Sequence, residues 1–188
     1  IYDAKRLIED PTNSRVAIES FGSARGRIAT ADGVIIAESK INDLSDQFRY
    51  EREYPYGGLY AHITGYISFN SGSSGLEFSY GEELSGRTPE QLSDTLYELF
   101  ADDPETHDLV LTIQHEIQMA AAEALGSQKG AVVVLNPITG EVIALVSSPT
   151  FDPNLLSSTN TAAANNARTD LLNQADNPLI SRATNEIY

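Results

Sequence analysis

Residues 130–153, GAVVVLNPITGEVIALVSSPTFDP, constrain the fold more than any other stretch of the chain. Two uncharged, β-branched runs, 131–135 and 142–146, flank Asn136-Pro137-Ile138-Thr139-Gly140. Pro137 presets φ at a turn position and Gly140 tolerates φ > 0, so the pattern predicts a β-hairpin. Runs that are apolar at nearly every position predict strands covered on both faces. The following segment, 155–175, is rich in Ser, Thr, Asn and Ala and too poor in large apolar residues to supply that cover. Within it only 168–172 reads as helical. The hairpin is therefore expected to need sheet partners from elsewhere, and without them to leave an edge unpaired over 131–147.

The rest of the chain reads as a succession of short elements. Residues 1–9 predict a short helix, 15–19 a strand and 21–24 a linker. Asp32-Gly33 between Ile28-Ala29-Thr30 and Val34-Ile35-Ile36 predicts a hairpin with a two-residue turn. Residues 40–50 are polar and read as a loop. Residues 50–66 hold aromatic strand formers broken by Pro55 and Gly57-Gly58, and 70–75 (NSGSSG) form a turn-rich loop. Thr88-Pro89-Glu90-Gln91 opens a helix with a capping box, and Leu92, Leu96, Leu99 and Phe100 follow at helical spacing. Residues 109–111 predict a brief strand. Thr112 is expected to cap a helix over 113–125 whose buried stripe is Ile113, Ile117, Ala120, Ala121, Ala124 and Leu125, with Gly126 ending it. There is no internal repeat.

Twelve Lys plus Arg against 27 Asp plus Glu give a net charge of −15. A chain this acidic is a poor ligand for phosphate backbones or anionic membrane surfaces, so nucleic acid is not an expected partner. The absence of cysteine excludes a disulfide framework and thiolate metal sites. No run approaches the roughly 20 apolar residues of a membrane span, and no stretch of these residues reads as a signal peptide. The first residue is Ile1 rather than Met, so an upstream anchor is expected to have been removed.

The residue patterns of catalysis are missing. His62, His107 and His115 are not at metal-ligand spacing, and Met119 stands where a zinc helix beginning at His115-Glu116 needs its second His. No metal and no cofactor are expected. The adjacent carboxylates Glu82-Glu83 and Asp102-Asp103 read as solvated, since sequence neighbours usually point apart. A nucleophilic Ser one helical turn before a Lys would be the Ser-x-x-Lys pattern. Three residues before Lys5, Lys40 and Lys129 stand Tyr2, Ala37 and Gly126, so the pattern is absent. Lys-Thr-Gly is absent as well, and the triplet Ser158-Thr159-Asn160 is expected by chance in so Ser- and Asn-rich a segment.

Five patterns, four of them in addition to 130–153, occur in a specific order. They are Arg25-Gly26-x-Ile28 with Asp32-Gly33-x-x-x-Ala37; Arg52-x-Tyr54-Pro55 with 61–66 (AHITGY); Gly75-Leu76-Glu77 with Tyr80 and 84–86 (LSG); 111–113 (LTI) with Ile117-Gln118 and Ala121-x-x-Ala124-Leu125; and 130–153 itself. Together with 177–183 (NPLISRA) they resemble class B penicillin-binding proteins, in particular the smaller actinobacterial A-type members. Asn136, His115 and Ser181 depart from the residues usual in that family.

The resemblance implies an α+β fold: a mostly β pedestal, or dimerisation, domain with short helices over 1–105, then over 106–188 an incomplete helix-plus-hairpin start of a serine transpeptidase domain, ending just before the Ser-x-x-Lys serine. It implies a parent that cross-links peptidoglycan stem peptides through an acyl-enzyme and binds β-lactams. The parent would be extracytoplasmic, anchored in the cell membrane, and engaged with cell-wall synthesis proteins in cell division or cell shape. This chain would supply the pedestal and domain start, its partner being the rest of the transpeptidase domain, and by itself would be inactive. A stand-alone scaffold of the cell-wall machinery is the alternative. The residues that carry the family's structural motifs are Arg25, Gly26, Arg52, Gly65, Gly75 and Glu77. Arg25 and Glu77 either pair across the domain or stand as independent surface charges.

Overall fold

The computed structural model describes residues 21–43, 48–86 and 106–185. The helices expected over 1–9 and from Thr88, and the strand expected over 15–19, lie outside them. What is described is a mixed α+β fold with a four-stranded sheet, two two-stranded sheets and several short helices.

β1 (Ile28–Ala29) and β2 (Ile35–Ile41) form the first hairpin. Its connection is a three-residue loop rather than the expected two-residue turn. Thr30 N donates to Val34 O at 2.9 Å, Gly33 N donates to Thr30 O at 3.0 Å, and Gly33 takes φ +82°. This is a turn followed by a left-handed residue, which only a glycine adopts without strain. β2 continues to Ile41, into the segment expected to be loop, and pairs with β3 (Tyr50–Glu53). That register sets Glu38 opposite Glu53. Like charges so placed repel, and Lys40 Nζ reaches both, at 2.8 and 3.5 Å. β6 (Leu109–Val110) then joins β1 in parallel, giving the order β3-β2-β1-β6.

The aromatic stretch after β3 is not strand. It runs through a 3-10 turn (Gly57–Leu59), α1 (Ala61–Thr64), the short antiparallel pair β4 (Ile67–Ser68) and β5 (Gly72–Ser73), then α2 (Gly75–Ser79) and α3 (Gly81–Ser85). Tyr54, Tyr60 and Tyr66 are all buried. A regular strand would put all three rings on one face, but the coiled backbone sends Tyr54 and Tyr60 to one core and Tyr66 to another, and Gly57 (φ +48°) and Gly65 (φ +67°) allow the coiling.

α4 (His115–Leu125) begins two residues later than expected. Thr112 is not its cap, because its hydroxyl donates to Val142 O at 2.7 Å. Instead the Asp32 carboxylate, in the first hairpin's loop, accepts from His115 N at 3.1 and 3.2 Å. Helix N-termini leave such N–H groups unpaired, and here a distant residue takes one. Ala120 and Ala124 are exposed, contrary to expectation, while Gln118 is wholly buried. Gly126 (φ +56°) ends the helix.

The hairpin is formed by β7 (Gly130–Leu135) and β8 (Val142–Ser148). Gly140 takes φ +78° in its turn, and Asn136 Oδ1 accepts from Ile138 N at 3.0 Å. α4 covers one face, with Ala121 against Ala144 and Val146 and with Ile117 and Leu125 around them. The expectation of cover on both faces is corrected here: Val133 is 44% and Leu135 55% exposed. One helix supplies one layer.

α5 (Pro153–Ser157) is capped by Asp152, and α6 (Thr161–Leu172) by Asn160, whose side chain accepts from Ala163 N at 3.1 Å. The helical reading of 168–172 thus extends back to Thr161. These helices pack on α1 and β4 rather than on the hairpin: Leu156 and Leu171 cluster with Ala61, Tyr66 and Phe151. A second core joins Ile28, Ile36, Tyr54, Tyr60 and Leu84 to Ile113. Both cores draw on residues from each side of the boundary expected near residue 105.

Candidate functional site

Of the six motif residues, spread over 25–77 in sequence, five are buried and Gly75 is exposed. Arg25 precedes β1, Arg52 lies in β3, and Glu77 lies in α2. All three are buried, Glu77 to 1% exposure. Arg25 Nε donates to Glu77 Oε2 at 3.1 Å, and its Nη2 donates to Glu77 O at 3.3 Å. Arg52 Nε donates to the other carboxylate oxygen at 2.7 Å, and its Nη1 donates to Arg25 O at 3.4 Å. Arg25 and Glu77 therefore have the paired arrangement of the two that the sequence leaves open.

Tyr54 completes the network. Its hydroxyl donates to Glu77 Oε1 at 3.5 Å and accepts from Ile67 N at 3.2 Å. Burial, and then the Glu77 charge, push this phenol above its ordinary range, so it acts as a neutral donor. Burial also pulls the Arg25 guanidinium down from its ordinary value, and Glu77 opposes that shift. Two cations share one anion here, which holds only because the carboxylate is ligated on both oxygens.

The three glycines make close backbone approaches that place the charged groups. A Cβ on Gly26 would stand 1.9 Å from His107 O, where β6 meets β1. A Cβ on Gly65 would stand 2.0 Å from Ser74 O, and one on Gly75 2.6 Å from Gly65 N. Gly65 and Gly75 thus bring the end of α1 against the start of α2, two residues before Glu77.

A second layer of polar contacts ties residues 54–60 to the later part of the chain. The Asn154 amide accepts from Tyr54 N at 2.8 Å and donates to Tyr54 O at 3.0 Å. Thr150 Oγ1 donates to Gly58 O at 2.7 Å, and Tyr60 Oη lies 2.7 Å from His115 Nδ1. Nε2 of His62 is 3.3 Å from Pro149 O, with its ring edge-on to Phe151, and burial lowers its pKa. Tyr54, Asp32 and Gln118 stand within the five ordered sequence patterns but not among the expected site residues, and Asn154 stands just past the last of those patterns. Among the described residues no cluster of His, Cys, Asp or Glu could hold a metal ion.

Residues 25–109 match the family of penicillin binding protein A dimerisation domains. With this fold and this buried network, the chain belongs to the penicillin-binding protein family. Within it, the chain is 36% identical over 194 aligned residues to the peptidoglycan D,D-transpeptidase PbpA of Mycolicibacterium smegmatis, spanning 100% of this chain and 39% of that protein. The structure of penicillin-binding protein A from M. tuberculosis, as its penicillin G acyl-enzyme complex, superposes with a TM-score of 0.80 at 36% identity, over 88% of this chain and 39% of that one. The peptidoglycan D,D-transpeptidase MrdA of Escherichia coli K12 is 31% identical over 73% of this chain and 26% of its own length. The chain thus spans well under half the length of the relatives it matches.

Proposed function

We propose that this chain is the pedestal and the opening elements of a peptidoglycan D,D-transpeptidase, with the boundary between them near residue 105. The observation that carries the reading is the 36% identity to PbpA over the whole chain. In the longer protein a serine outside residues 1–188 attacks the stem-peptide carbonyl and forms the acyl-enzyme, and β-lactams acylate the same serine. Arg25, Arg52 and Glu77, with Gly26, Gly65 and Gly75, brace the pedestal that carries this machinery. The protein works outside the cytoplasm, held to the membrane by a segment beyond this sequence and in contact with cell-wall synthesis proteins. No helix among the described residues is long and apolar enough to cross a membrane.

The test is to express the full reading frame and incubate it with a fluorescent penicillin. A covalent label, blocked by unlabelled penicillin G and mapped to a serine beyond residue 188, is the expected result. A full-length product that takes no label overturns the assignment.

A further inference from the structure

Gln118 is wholly buried, on a helix whose Ile117 and Ala121 pack in an apolar cluster, where a leucine would nearly match its volume. Its amide makes three hydrogen bonds. Nε2 donates to Leu145 O at 2.8 Å, Oε1 accepts from Leu145 N at 2.8 Å, and Nε2 donates again to Leu59 O at 3.0 Å. The first two engage both backbone groups of one residue of β8, as a neighbouring strand would. The third reaches the 3-10 turn Gly57–Leu59, in the matched dimerisation region.

Other contacts near it join elements only in pairs. Gln114 N donates to Ile143 O at 2.9 Å, which ties the start of α4 to β8. The bonds Thr150–Gly58 and Tyr60–His115 tie the turn to β8's exit and to α4 separately. Gln118 alone among them holds the turn, the helix and the strand through a single planar group. A buried amide satisfied at three points tolerates little displacement, because any shift leaves a desolvated carbonyl or N–H unpaired.

We propose that Gln118 is a positioning residue: it fixes β8 at a set offset from the pedestal turn and thereby sets the acylation rate of the domain that β8 opens. This rests on the transpeptidase reading above. The test uses the full-length protein, with the rate of fluorescent-penicillin acylation measured per folded molecule, well below the melting temperature. Gln118→Leu removes all three bonds, and acylation is expected to slow by about ten- to a hundredfold, as for misplacements remote from chemistry. The Leu145 amide should exchange faster at the same time.

Gln118→Glu is the second variant. Its carboxylate keeps the acceptor for Leu145 N–H but turns an oxygen on two carbonyls, and protonation restores one donor. Its acylation rate, taken relative to the unmutated protein at each pH, should recover as pH falls. If the unmutated protein is labelled while both variants react at its rate per folded molecule, whatever their melting temperatures, the inference is overturned and the function stands. If the unmutated protein takes no label, the transpeptidase reading falls, and the inference with it.

Discussion

Arg25 and Glu77 are 52 residues apart in sequence and joined by a buried hydrogen bond of 3.1 Å. With Arg52 on the other carboxylate oxygen, Glu77 is, among the described residues, the sole counter-charge of two buried guanidinium groups. Removing one partner of a buried ion pair costs about 3–5 kcal/mol, because the other is left desolvated. Glu77→Gln should therefore destabilise by that order in chemical denaturation, more than Arg25→Ala, which leaves Arg52 to compensate the carboxylate. A double-mutant cycle on Arg25 and Glu77 should give a coupling of about 0.5–3 kcal/mol. Additive single effects would show that the contact contributes nothing.

The glycines separate into two kinds. Gly26→Ala and Gly65→Ala drive a Cβ to 1.9 and 2.0 Å from backbone atoms, so strands or helices must part. Each should cost more than about 3 kcal/mol or abolish folding. Gly33 has φ +82° but open space around the position. Gly33→Ala should cost only the left-handed penalty, about 1–2 kcal/mol. Equal melting temperatures for Gly33→Ala and Gly26→Ala would refute the distinction.

Asn154 copies a strand edge for Tyr54, meeting both its N–H and its C=O. Asn154→Leu fills the space but orphans both groups, at about 1–3 kcal/mol. Asn154→Asp keeps the acceptor and loses the donor, and should fall between. Faster exchange of the Tyr54 amide in the leucine variant, and less so in the aspartate variant, is the signature to look for.

Burial holds His62 below the ordinary histidine pKa. The unfolded chain then binds more protons at this position than the folded one, so stability falls as pH drops through about 6.5 and levels off below the folded-state value. Hydrogen bonds from Arg27 to Asp108, and from Thr30 and His115 N to Asp32, lower those two carboxyls. Their stabilisation is present above the unfolded value of about 3.9 and is lost only as pH falls through the folded values. The two windows open at different pH, the first below about 6.5 and the second below about 3.9. Denaturant midpoints between pH 7 and 5 should fall less in His62→Gln than in the unmutated protein, and parallel curves would contradict the assignment.

Much of this organisation is legible in the sequence where local chemistry decides it. The hairpin around Asn136 and Gly140, and the strand at residue 109, follow from turn residues and β-branched runs. So do the motif residues Arg25 and Glu77, whose order along the chain marked the family. What stayed hidden depends on contacts between distant segments. Asp32 caps α4 across the fold, so Thr112 looked like the cap. Tyr54, Tyr60 and Tyr66 read as strand formers because aromatic residues favour strands, whereas the coil between them divides them between two cores. α6 was hidden by its Asn and Thr content, although Asn160 before 162–164 (AAA) is itself a helix-start signal.

The clamp on Leu145 also decides which way the sheet can grow. Leu145 turns its N–H and C=O away from β7, toward Gln118, and Ile143 O is taken by Gln114. In an antiparallel pair, facing residues turn inward or outward together, so Val133 opposite Leu145 also presents its backbone groups outward, on the far side. Among the described residues β7 pairs only with β8. The hairpin is thus a ladder with one rail blocked. A strand recruited from the same polypeptide or from a neighbouring molecule is directed to the β7 rail, and freeing Leu145 would turn a one-sided template into a two-sided adhesive.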